Sequence, residues 1–178
     1  MKEGLKLPKV NAMISEMDRL VAQLADDLIS KNKMLITAES CTGGLIGAKC
    51  TQLTGSSAWF FGGLISYDNQ AKENMLNVSR QNLQDYGAVS KEVVAQMCVG
   101  ALKYGADISV AVSGVAGPGG GSEEKPVGTV YIGWMTKEWI KQGKAAHVQG
   151  FQFQGDRDAV RELTVINAIQ GVLAIENG

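Results

Sequence analysis

The sequence predicts an α/β fold in which helices pack against a central sheet. Short β-rich segments alternate along the chain with segments of helical periodicity, which is the pattern of a layered α/β protein. The segment Asp107–Gly114 is almost entirely apolar, as expected for a strand that is covered on both faces. A length of 178 residues with 45% hydrophobic residues fits one domain with a full core. We therefore expect a single domain over residues 1–178, with residues 1–10 as a flexible polar leader.

The first half of the chain predicts three helices and two strands. Apolar residues at helical spacing predict a helix over residues 11–31. The other predicted elements are a strand over Lys33–Ala38, a helix over Leu45–Leu53, a strand over Phe60–Tyr67 and a short helix over Gln70–Leu76. The first strand ends directly before a cluster of hydroxyl and thiol side chains, so this cluster lies where a strand turns into a helix.

The second half predicts two longer helices and three further strands. Ser90 predicts the N-cap of an amphipathic helix that Gly105 ends. The strand over Asp107–Gly114 leads into a glycine-rich loop, and two more strands are predicted over residues 129–135 and 145–153, joined by a polar connection. From Asp156 a last helix has one apolar face, formed by Val160, Leu163, Ile166, Ile169 and Val172.

The composition excludes several classes of function. With 17 Lys and Arg against 18 Asp and Glu the net charge is −1, so we expect no nucleic-acid partner and no membrane-binding patch. The single histidine, His147, allows neither a Ser-His-Asp triad nor a zinc site of several imidazoles. Three cysteines without a C-x-x-C pair suit a reducing cytoplasm. No apolar run approaches the about 18 residues of a membrane span, so the sequence predicts a cytoplasmic protein without a metal site.

The segment TAESCTGGLIG places Ser40, Cys41 and Thr42 in front of two glycines. Glycines permit a sharp turn and the close approach of a substrate, and free N–H groups at a helix start bind an oxyanion or a phosphate. The segment does not match the G-x-S-x-G motif of lipase-type enzymes. Two interpretations stay open: Ser40 or Thr42 is only the N-cap of the next helix, or one of these hydroxyl groups is a nucleophile.

A serine nucleophile in a chain with one histidine needs another base, and a lysine with a lowered pKa can take that role. Ser30 and Lys33 have the S-x-x-K spacing, but they lie in the polar run SKNK, which predicts a solvated pair. Tyr67 and Lys72 are better placed, because the strand that ends at Tyr67 can neighbour the strand that ends at Ala38. Their spacing alone favours a half-buried tyrosine and an exposed lysine.

Two further segments have the composition of binding loops. The segment SGVAGPGGGSEEKPVG, which begins at Ser113, follows a buried strand, where open α/β sheets bind ligands. It is neither a P-loop nor a dinucleotide motif, and it is either part of a pocket or a surface connection. Arg157 and Arg161 lie one turn apart at the start of the last helix. Either Arg157 binds an anion, or both are surface residues balanced by Asp156 and Asp158.

Three other reactive side chains are interpreted as structural. Cys41 lies beside Ser40 but has no evident imidazole partner to activate it. Cys98 lies on the apolar face of a helix, and His147 alternates with apolar neighbours in a predicted strand. We expect none of the three to be catalytic.

The motifs TAESCTGGLIG, SYDNQAKENMLNV, GAVS, SGVAGPGGGSEEKPVGTVYIG and GDRDAVR occur in this order. In this combination the sequence resembles the CinA C-terminal domain family from about Met13 to the end. The resemblance implies a single three-layer α/β/α domain with a central, mostly parallel sheet, which agrees with the predicted elements. Stand-alone members of the family are amidases that convert nicotinamide mononucleotide to nicotinate mononucleotide and ammonia, and the resemblance implies neither a metal nor a cofactor.

The resemblance also assigns roles to individual residues. Ser40 becomes the nucleophile, Lys72 its base, and Tyr67 an aid to the proton transfers. The residues assigned to substrate binding are Thr42, Gly43, Gly44, Ser113, Gly114 and Arg157. Within this set the TGG backbone contacts phosphate or oxyanion, and Arg157 holds a charged part of the substrate. Ser113 stands where many members have threonine, and it keeps the hydroxyl group.

Two alternatives to this function remain. The same domain occurs fused to a larger one in many relatives, so a non-catalytic nucleotide-binding or interaction module is the main alternative. The joint presence of Ser40, Tyr67, Lys72 and Arg157 favours the enzyme. An amidase for another pyridine or nucleoside substrate is the second alternative, because the loop over residues 116–125 is expected to set specificity. We also expect a homo-oligomer, with the number of subunits open.

Overall fold

The computed structural model describes residues 16–178, in which helices and strands alternate as predicted. Its elements are α1 (Glu16–Ser30), β1 (Leu35–Glu39), α2 (Leu45–Gln52), a 3₁₀ turn (Ser56–Ala58), β2 (Phe60–Ile65), α3 (Asn69–Leu76), α4 (Arg80–Tyr86), α5 (Lys91–Leu102), β3 (Ile108–Gly114), β4 (Thr129–Thr136), α6 (Lys137–Lys141), β5 (His147–Gln152) and α7 (Arg157–Asn177). The predicted leader and the first residues of the predicted helix over 11–31 lie outside the described residues.

The five strands form one mixed sheet in the order β2-β1-β3-β4-β5. β1 pairs in parallel with β2 on one side and with β3 on the other. β4 runs antiparallel to β3 and to β5, so it alone is reversed and the other strands share one direction. The carboxyl ends of β1, β2 and β3 therefore meet at the same edge of the sheet.

Helices cover both faces of the sheet, which confirms the predicted α/β class and its three layers. One core, between the sheet and the layer of α1, α2 and α7, contains the buried side chains of Leu24, Ile46 and Ile169. The other core, beneath α3, α4 and α5, contains Leu76, Leu83 and Met97. Neighbouring residues of β1 point into opposite cores, because side chains alternate along a strand.

The pairing of β1 with β2 contains one irregularity at its start. Leu35 is opposite Phe60 but Ile36 is opposite Gly62, which leaves Phe61 as an extra residue in β2. Such a bulge is the insertion of one residue into a strand pair. From Ile36 onwards the pairing is regular and ends with Glu39 opposite Ile65.

Two short helices were not predicted from the sequence. α4 begins after Ser79, whose side chain accepts a hydrogen bond from the N–H of Asn82. α6 lies within the segment that was interpreted as a polar connection, and it begins after Thr136, whose side chain caps the N–H of Trp139. The predicted N-cap of α5 is confirmed, because the Ser90 side chain accepts from the N–H of Val93.

The last helix differs from its predicted single apolar face. The buried side chains of α7 are Val160, Thr164, Val165, Ala168, Ile169, Val172 and Leu173. Leu163 and Ile166, which were predicted on the apolar face, are only half-buried. α7 packs against both the sheet and α1, so a wider part of its surface is covered than one sheet contact requires.

None of the helices over residues 16–178 is both long and apolar enough to cross a membrane.

Candidate active site

Three buried serines lie in a row at the carboxyl ends of the parallel strands. Ile65, Glu39 and Val112 are paired across β2, β1 and β3. Each is followed directly by a serine, namely Ser66, Ser40 and Ser113. Their exposed fractions are 0%, 8% and 1%, and Ser40 and Ser113 line one cavity. The edge of an open α/β sheet at which a site is expected therefore carries hydroxyl groups.

Lys72 in α3 reaches this row from the side. Its Nζ lies 3.1 Å from Ser40 Oγ, 2.8 Å from the Ser66 carbonyl oxygen and 3.0 Å from the Tyr67 carbonyl oxygen. The two carbonyl groups can only accept hydrogen bonds, so they fix two N–H directions of the amine. The third direction points at Ser40 Oγ. In the neutral amine this direction belongs to the lone pair, which accepts the serine proton.

The surroundings of Lys72 favour this neutral form. Its side chain is 1% exposed, and among residues 16–178 no carboxylate lies within ion-pair distance of its Nζ. Burial lowers the pKa of Lys72, because a charged ammonium loses its hydration, while the more distant Asp68 carboxylate offsets part of that effect. A lysine with a lowered pKa is a better base for a serine than an ordinary, charged lysine.

The helix that follows Ser40 is capped by a glutamate and not by Ser40 or Thr42. Gly44 stands at the N-cap of α2 without a side-chain hydrogen bond. The Glu39 carboxylate accepts from the N–H groups of Ile46 and Gly47 instead, at 3.0 and 2.9 Å. The interpretation of Ser40 or Thr42 as a helix cap is therefore wrong. Both hydroxyl groups are left for other contacts.

The N–H groups of the two glycines, for which anion contacts were predicted, are bonded within the chain. The N–H of Gly43 donates to the Ser40 carbonyl oxygen at 3.0 Å, and the N–H of Gly44 donates to Glu39 Oε2 at 3.1 Å. Both N–H groups are thus already bonded within the corner, which is the turn from Glu39 to Gly47. The Glu39 carboxylate lies where a phosphate was expected. The glycines serve the turn, since both have left-handed backbone conformations with φ of 60° and 97°.

Thr42 is fixed at both its side chain and its carbonyl group. Its Oγ1 donates to Glu39 Oε2 at 2.6 Å, and its carbonyl oxygen accepts from Arg161 Nη2 at 2.9 Å. Among residues 16–178 its N–H has no hydrogen-bond acceptor.

Arg157 and Tyr67 form the exposed rim of the cavity. Arg157 Nη1 donates to the Gly117 carbonyl oxygen at 2.7 Å, and Nη2 lies 3.4 Å from the Tyr67 hydroxyl. Within the described chain Arg157 has no carboxylate partner, whereas Arg161 lies 3.6 Å from Asp158. The interpretation of a balanced surface pair therefore fits Arg161 only, and the charge of Arg157 is left for an anion.

Tyr67 contacts the lysine through its backbone. Its carbonyl oxygen binds Lys72, while its ring is 61% exposed and its hydroxyl faces Arg157. The role of Tyr67 in proton transfer stays a prediction.

Two neighbouring cavities meet at Arg157. The smaller one, of about 190 Å³, contains the catalytic candidates, and its lining is Ser40, Cys41, Tyr67, Lys72, Ala88, Val89, Ser113, Gly114, Ala116 and Arg157. The larger one, of about 500 Å³, lies along the glycine-rich loop and the start of α7, and it shares Ala116 and Arg157 with the first. The glycine-rich loop is thus part of a pocket. Lys125 at the end of this loop donates to the Tyr86 carbonyl oxygen at 2.6 Å.

The other candidates lie apart from this site or are inert. Lys33 forms an ion pair with Glu176 at 2.6 Å and does not contact Ser30. Cys41 lines the cavity, but burial raises the pKa of its thiol to about 11, which keeps it protonated at neutral pH. Cys98 is buried in a core as predicted, and His147 is exposed on β5, stacked on Trp134.

No group of His, Cys, Asp and Glu side chains among residues 16–178 is arranged to hold a metal ion.

Three residues of the site were not predicted from the sequence. Glu39 was not singled out, although it precedes the serine and binds the whole corner. Ser66 was also missed; its hydroxyl is buried and has no hydrogen-bond partner in the described chain. Arg161 was considered only as a surface residue. Position was the one signal for two of them: Glu39 directly follows the strand predicted over Lys33–Ala38, and Ser66 lies at the end of the strand predicted over Phe60–Tyr67.

The fold and the site together define a class: α/β domains in which a serine at the end of a parallel strand contacts a buried lysine. The family model of the CinA C-terminal domain matches residues 17–175, and the chain belongs to this family.

Individual relatives agree with that assignment. The nicotinamide-nucleotide amidohydrolase PncC of Enterobacter agglomerans is 46% identical over 155 residues, which cover 86% of this chain and 92% of that protein. The CinA-like protein of Citrifermentans bemidjiense is also 46% identical over 155 residues, but these cover 35% of its length. The crystal structure of the competence/damage inducible protein CihA from Agrobacterium tumefaciens has a TM-score of 0.86 at 37% identity, covering 92% of this chain and 97% of that one.

Proposed function

We propose that this protein is an amidohydrolase that converts nicotinamide mononucleotide to nicotinate mononucleotide and ammonia. The observation that carries the proposal is the contact of 3.1 Å between Lys72 Nζ and Ser40 Oγ in a buried site. The names of relatives such as PncC, which match nearly the whole chain, support the substrate. Ser40 is the nucleophile and Lys72 is its base.

In the first half of the reaction an acyl-enzyme forms. Neutral Lys72 takes the proton of Ser40, and Oγ attacks the carboxamide carbon to give a tetrahedral intermediate. The N–H of Thr42 and the hydroxyl of Ser113 stabilise the oxygen on which negative charge develops. The C–N bond then breaks, and the Lys72 ammonium gives its proton to the leaving nitrogen, so that ammonia departs and Lys72 is neutral again.

In the second half water replaces ammonia. Lys72 takes a proton from a water molecule, whose oxygen attacks the ester carbon of the acyl-enzyme. The bond to Ser40 breaks, and Oγ recovers the proton from Lys72. The product is a carboxylic acid, which ionises at neutral pH. Water is consumed once, and Lys72, which lies 3.1 Å from Ser40 Oγ, carries the proton in each half of the reaction.

The charged rim supports recognition of a nucleotide. Arg157 has no carboxylate partner in the described chain, and it lies between the small cavity with Ser40 and the larger cavity along the glycine-rich loop. In our proposal the pyridine carboxamide occupies the small cavity. The ribose phosphate lies in the larger one, where the guanidinium binds the phosphate.

The proposal also covers cofactors, domain organisation, assembly and location. The reaction steps use only side chains, backbone groups and water, so we propose no metal and no cofactor. One sheet joins both cores, and we propose that the chain works as a single domain. A homo-oligomer in the cytoplasm is proposed from the compact α/β fold and from the unpaired thiols of the three cysteines.

The experiment that tests the proposal measures ammonia released from nicotinamide mononucleotide by the purified protein in the presence of a metal chelator. We expect release by the wild type and a loss of roughly 10³-fold or more in Ser40→Ala, because its nucleophile is missing. Cys41→Ala is the matched control, since it removes the neighbouring thiol, and we expect it to retain most of the activity. Both variants must unfold cooperatively.

Other outcomes would redirect the proposal. Substantial release by Ser40→Ala would indicate attack by water or by Cys41. Release from other pyridine carboxamides but not from the mononucleotide would change the substrate. Binding of the nucleotide by folded wild type without any release would support the alternative of a non-catalytic nucleotide-binding module.

A further inference from the structure

The carboxylate of Glu39 is the most heavily bonded side chain of the described structure, and the reaction steps above do not use it. The side chain belongs to the last residue of β1 and is 1% exposed. It accepts five hydrogen bonds: from Thr37 Oγ1 and the N–H of Gly47 on Oε1, and from Thr42 Oγ1 and the N–H groups of Gly44 and Ile46 on Oε2. All of these partners donate, which matches an ionised carboxylate.

These hydrogen bonds close a loop around the nucleophile. Glu39 directly precedes Ser40, and its acceptor atoms hold residues that follow the serine, from Thr42 to Gly47. The segment between them turns through the two left-handed glycines. A turn of this kind has no side chain of its own at the N-cap to hold it, so the carboxylate ties its two ends together.

We propose that Glu39 is a positioning residue, which holds the corner so that Ser40 Oγ stays within reach of Lys72 Nζ. The inference rests on the proposed function, in which Ser40 is the nucleophile. The bond from Thr42 at 2.6 Å is the shortest of the five and lies on the corner itself. Thr37 binds the same carboxylate at 3.0 Å from within the strand, before the serine.

The same contacts exclude a phosphate from the start of α2. An ionised carboxylate already fills the positive end of this helix, so a second anion there would be repelled. The anionic part of the substrate is therefore bound at another place, which agrees with the free charge of Arg157.

Two threonines offer a matched pair of variants for the test. Thr42→Val and Thr37→Val each remove one buried hydroxyl from Glu39, and both hydroxyl groups are 0% exposed. Thr37 precedes Ser40 in the chain and Thr42 follows it, so each variant removes the hydrogen bond on a different side of the nucleophile. We expect Thr42→Val to lower kcat at least tenfold with KM within twofold, and Thr37→Val to lower kcat less than threefold. Thr42→Ser restores the hydroxyl and is expected to restore kcat to within threefold of the wild type.

A second readout separates this inference from the choice of substrate. Phenylmethylsulfonyl fluoride reacts with activated serines, and its rate of attachment to Ser40 is followed by mass spectrometry. We expect the labelling rate to fall at least tenfold in Thr42→Val and Glu39→Gln and less than threefold in Thr37→Val. This order is expected whether or not the wild type releases ammonia from nicotinamide mononucleotide.

The free energy of unfolding is measured for each variant to distinguish positioning from general stability. Equal losses of kcat and of labelling in Thr42→Val and Thr37→Val would overturn the inference, and so would a Glu39→Gln variant that is labelled at the wild-type rate. If Glu39→Gln does not fold, the threonine pair decides. A folded wild type that neither releases ammonia nor is labelled overturns both this inference and the proposed function, whereas labelling without release overturns only the substrate.

Discussion

The two sides of the cavity that holds Ser40 are built in opposite ways. On the corner side, Glu39, Ser40 and Thr42 are buried and held by short hydrogen bonds within the chain. On the rim side, Arg157 and Tyr67 are exposed, and they share one long contact of 3.4 Å. The groups assigned to bond making are thus buried before a substrate arrives, whereas the groups assigned to recognition are open to solvent. Variants on the two sides are expected to differ in kind.

The largest effect after loss of the nucleophile is expected at Lys72. Lys72→Met keeps the length of the side chain but removes the amine, so Ser40 loses its base. We expect kcat to fall by about 10²- to 10⁴-fold, the range of general base catalysis, with little change in KM. A loss below tenfold would show that another group takes the serine proton.

The pH dependence of stability tests the protonation state of Lys72, with Lys72→Met as the reference. The folded chain holds the pKa of Lys72 below its unfolded value, because burial disfavours the ammonium. Between these two pKa values unfolding takes up a proton, so raising the pH through this window stabilises the fold, and lowering it destabilises. We therefore expect the free energy of unfolding of the wild type to rise with pH relative to that of Lys72→Met. If the difference in the free energy of unfolding between the two proteins does not change with pH, the pKa of Lys72 is not lowered.

A smaller effect of a different kind is expected at Arg157. Arg157→Ala removes the charged donor at the rim but leaves the corner intact. We expect KM for nicotinamide mononucleotide to rise roughly 10- to 100-fold with kcat nearly unchanged, which corresponds to about 1.5–3 kcal/mol for hydrogen bonds to a charged group. Arg157→Lys, which keeps the charge, is the control. Its KM is expected to lie between those of the wild type and Arg157→Ala. A change in kcat alone would show that Arg157 acts in the transition state.

The smallest effect is expected at Tyr67. Tyr67→Phe removes a hydroxyl whose one contact in the described chain is Arg157, and it keeps the carbonyl group that binds Lys72. We expect KM to change by about threefold, within the range of a neutral hydrogen bond. If Tyr67 assists the proton transfers, as the family resemblance implies, kcat falls tenfold or more instead. Steady-state kinetics distinguishes these outcomes.

Most of the fold was accessible from the sequence because its signals are local. The Ser90 cap, the apolar strand β3 and the alternation of strands and helices each depend on a few neighbouring residues. The short helices α4 and α6 were missed because they carry few apolar residues, and none of the residues of α6 is buried. Their capping residues, Ser79 and Thr136, resemble ordinary loop residues in sequence.

The site was less accessible, because its contacts join distant segments. Spacing along the chain favoured an exposed Lys72, and only the placement of β2 beside β1 turns α3 towards Ser40. Glu39 looked like an ordinary charged residue, since its partners are mostly backbone N–H groups that no sequence pattern displays. Of the residues that the family resemblance implies, Ser40 and Lys72 are in contact, whereas the N–H groups of the two glycines are bonded within the chain.

The extra residue Phe61 at the start of β2 limits how this protein can change in length. Beyond this bulge the strands are in register, so Ser66 follows the partner of Glu39 and the carbonyl groups of Ser66 and Tyr67 face the lysine. Loss or gain of one residue in β2 shifts every later side chain to the opposite face of the sheet. Insertions and deletions should therefore be excluded from β2, while the glycine-rich loop, which is exposed around Gly119–Glu124, can accept them.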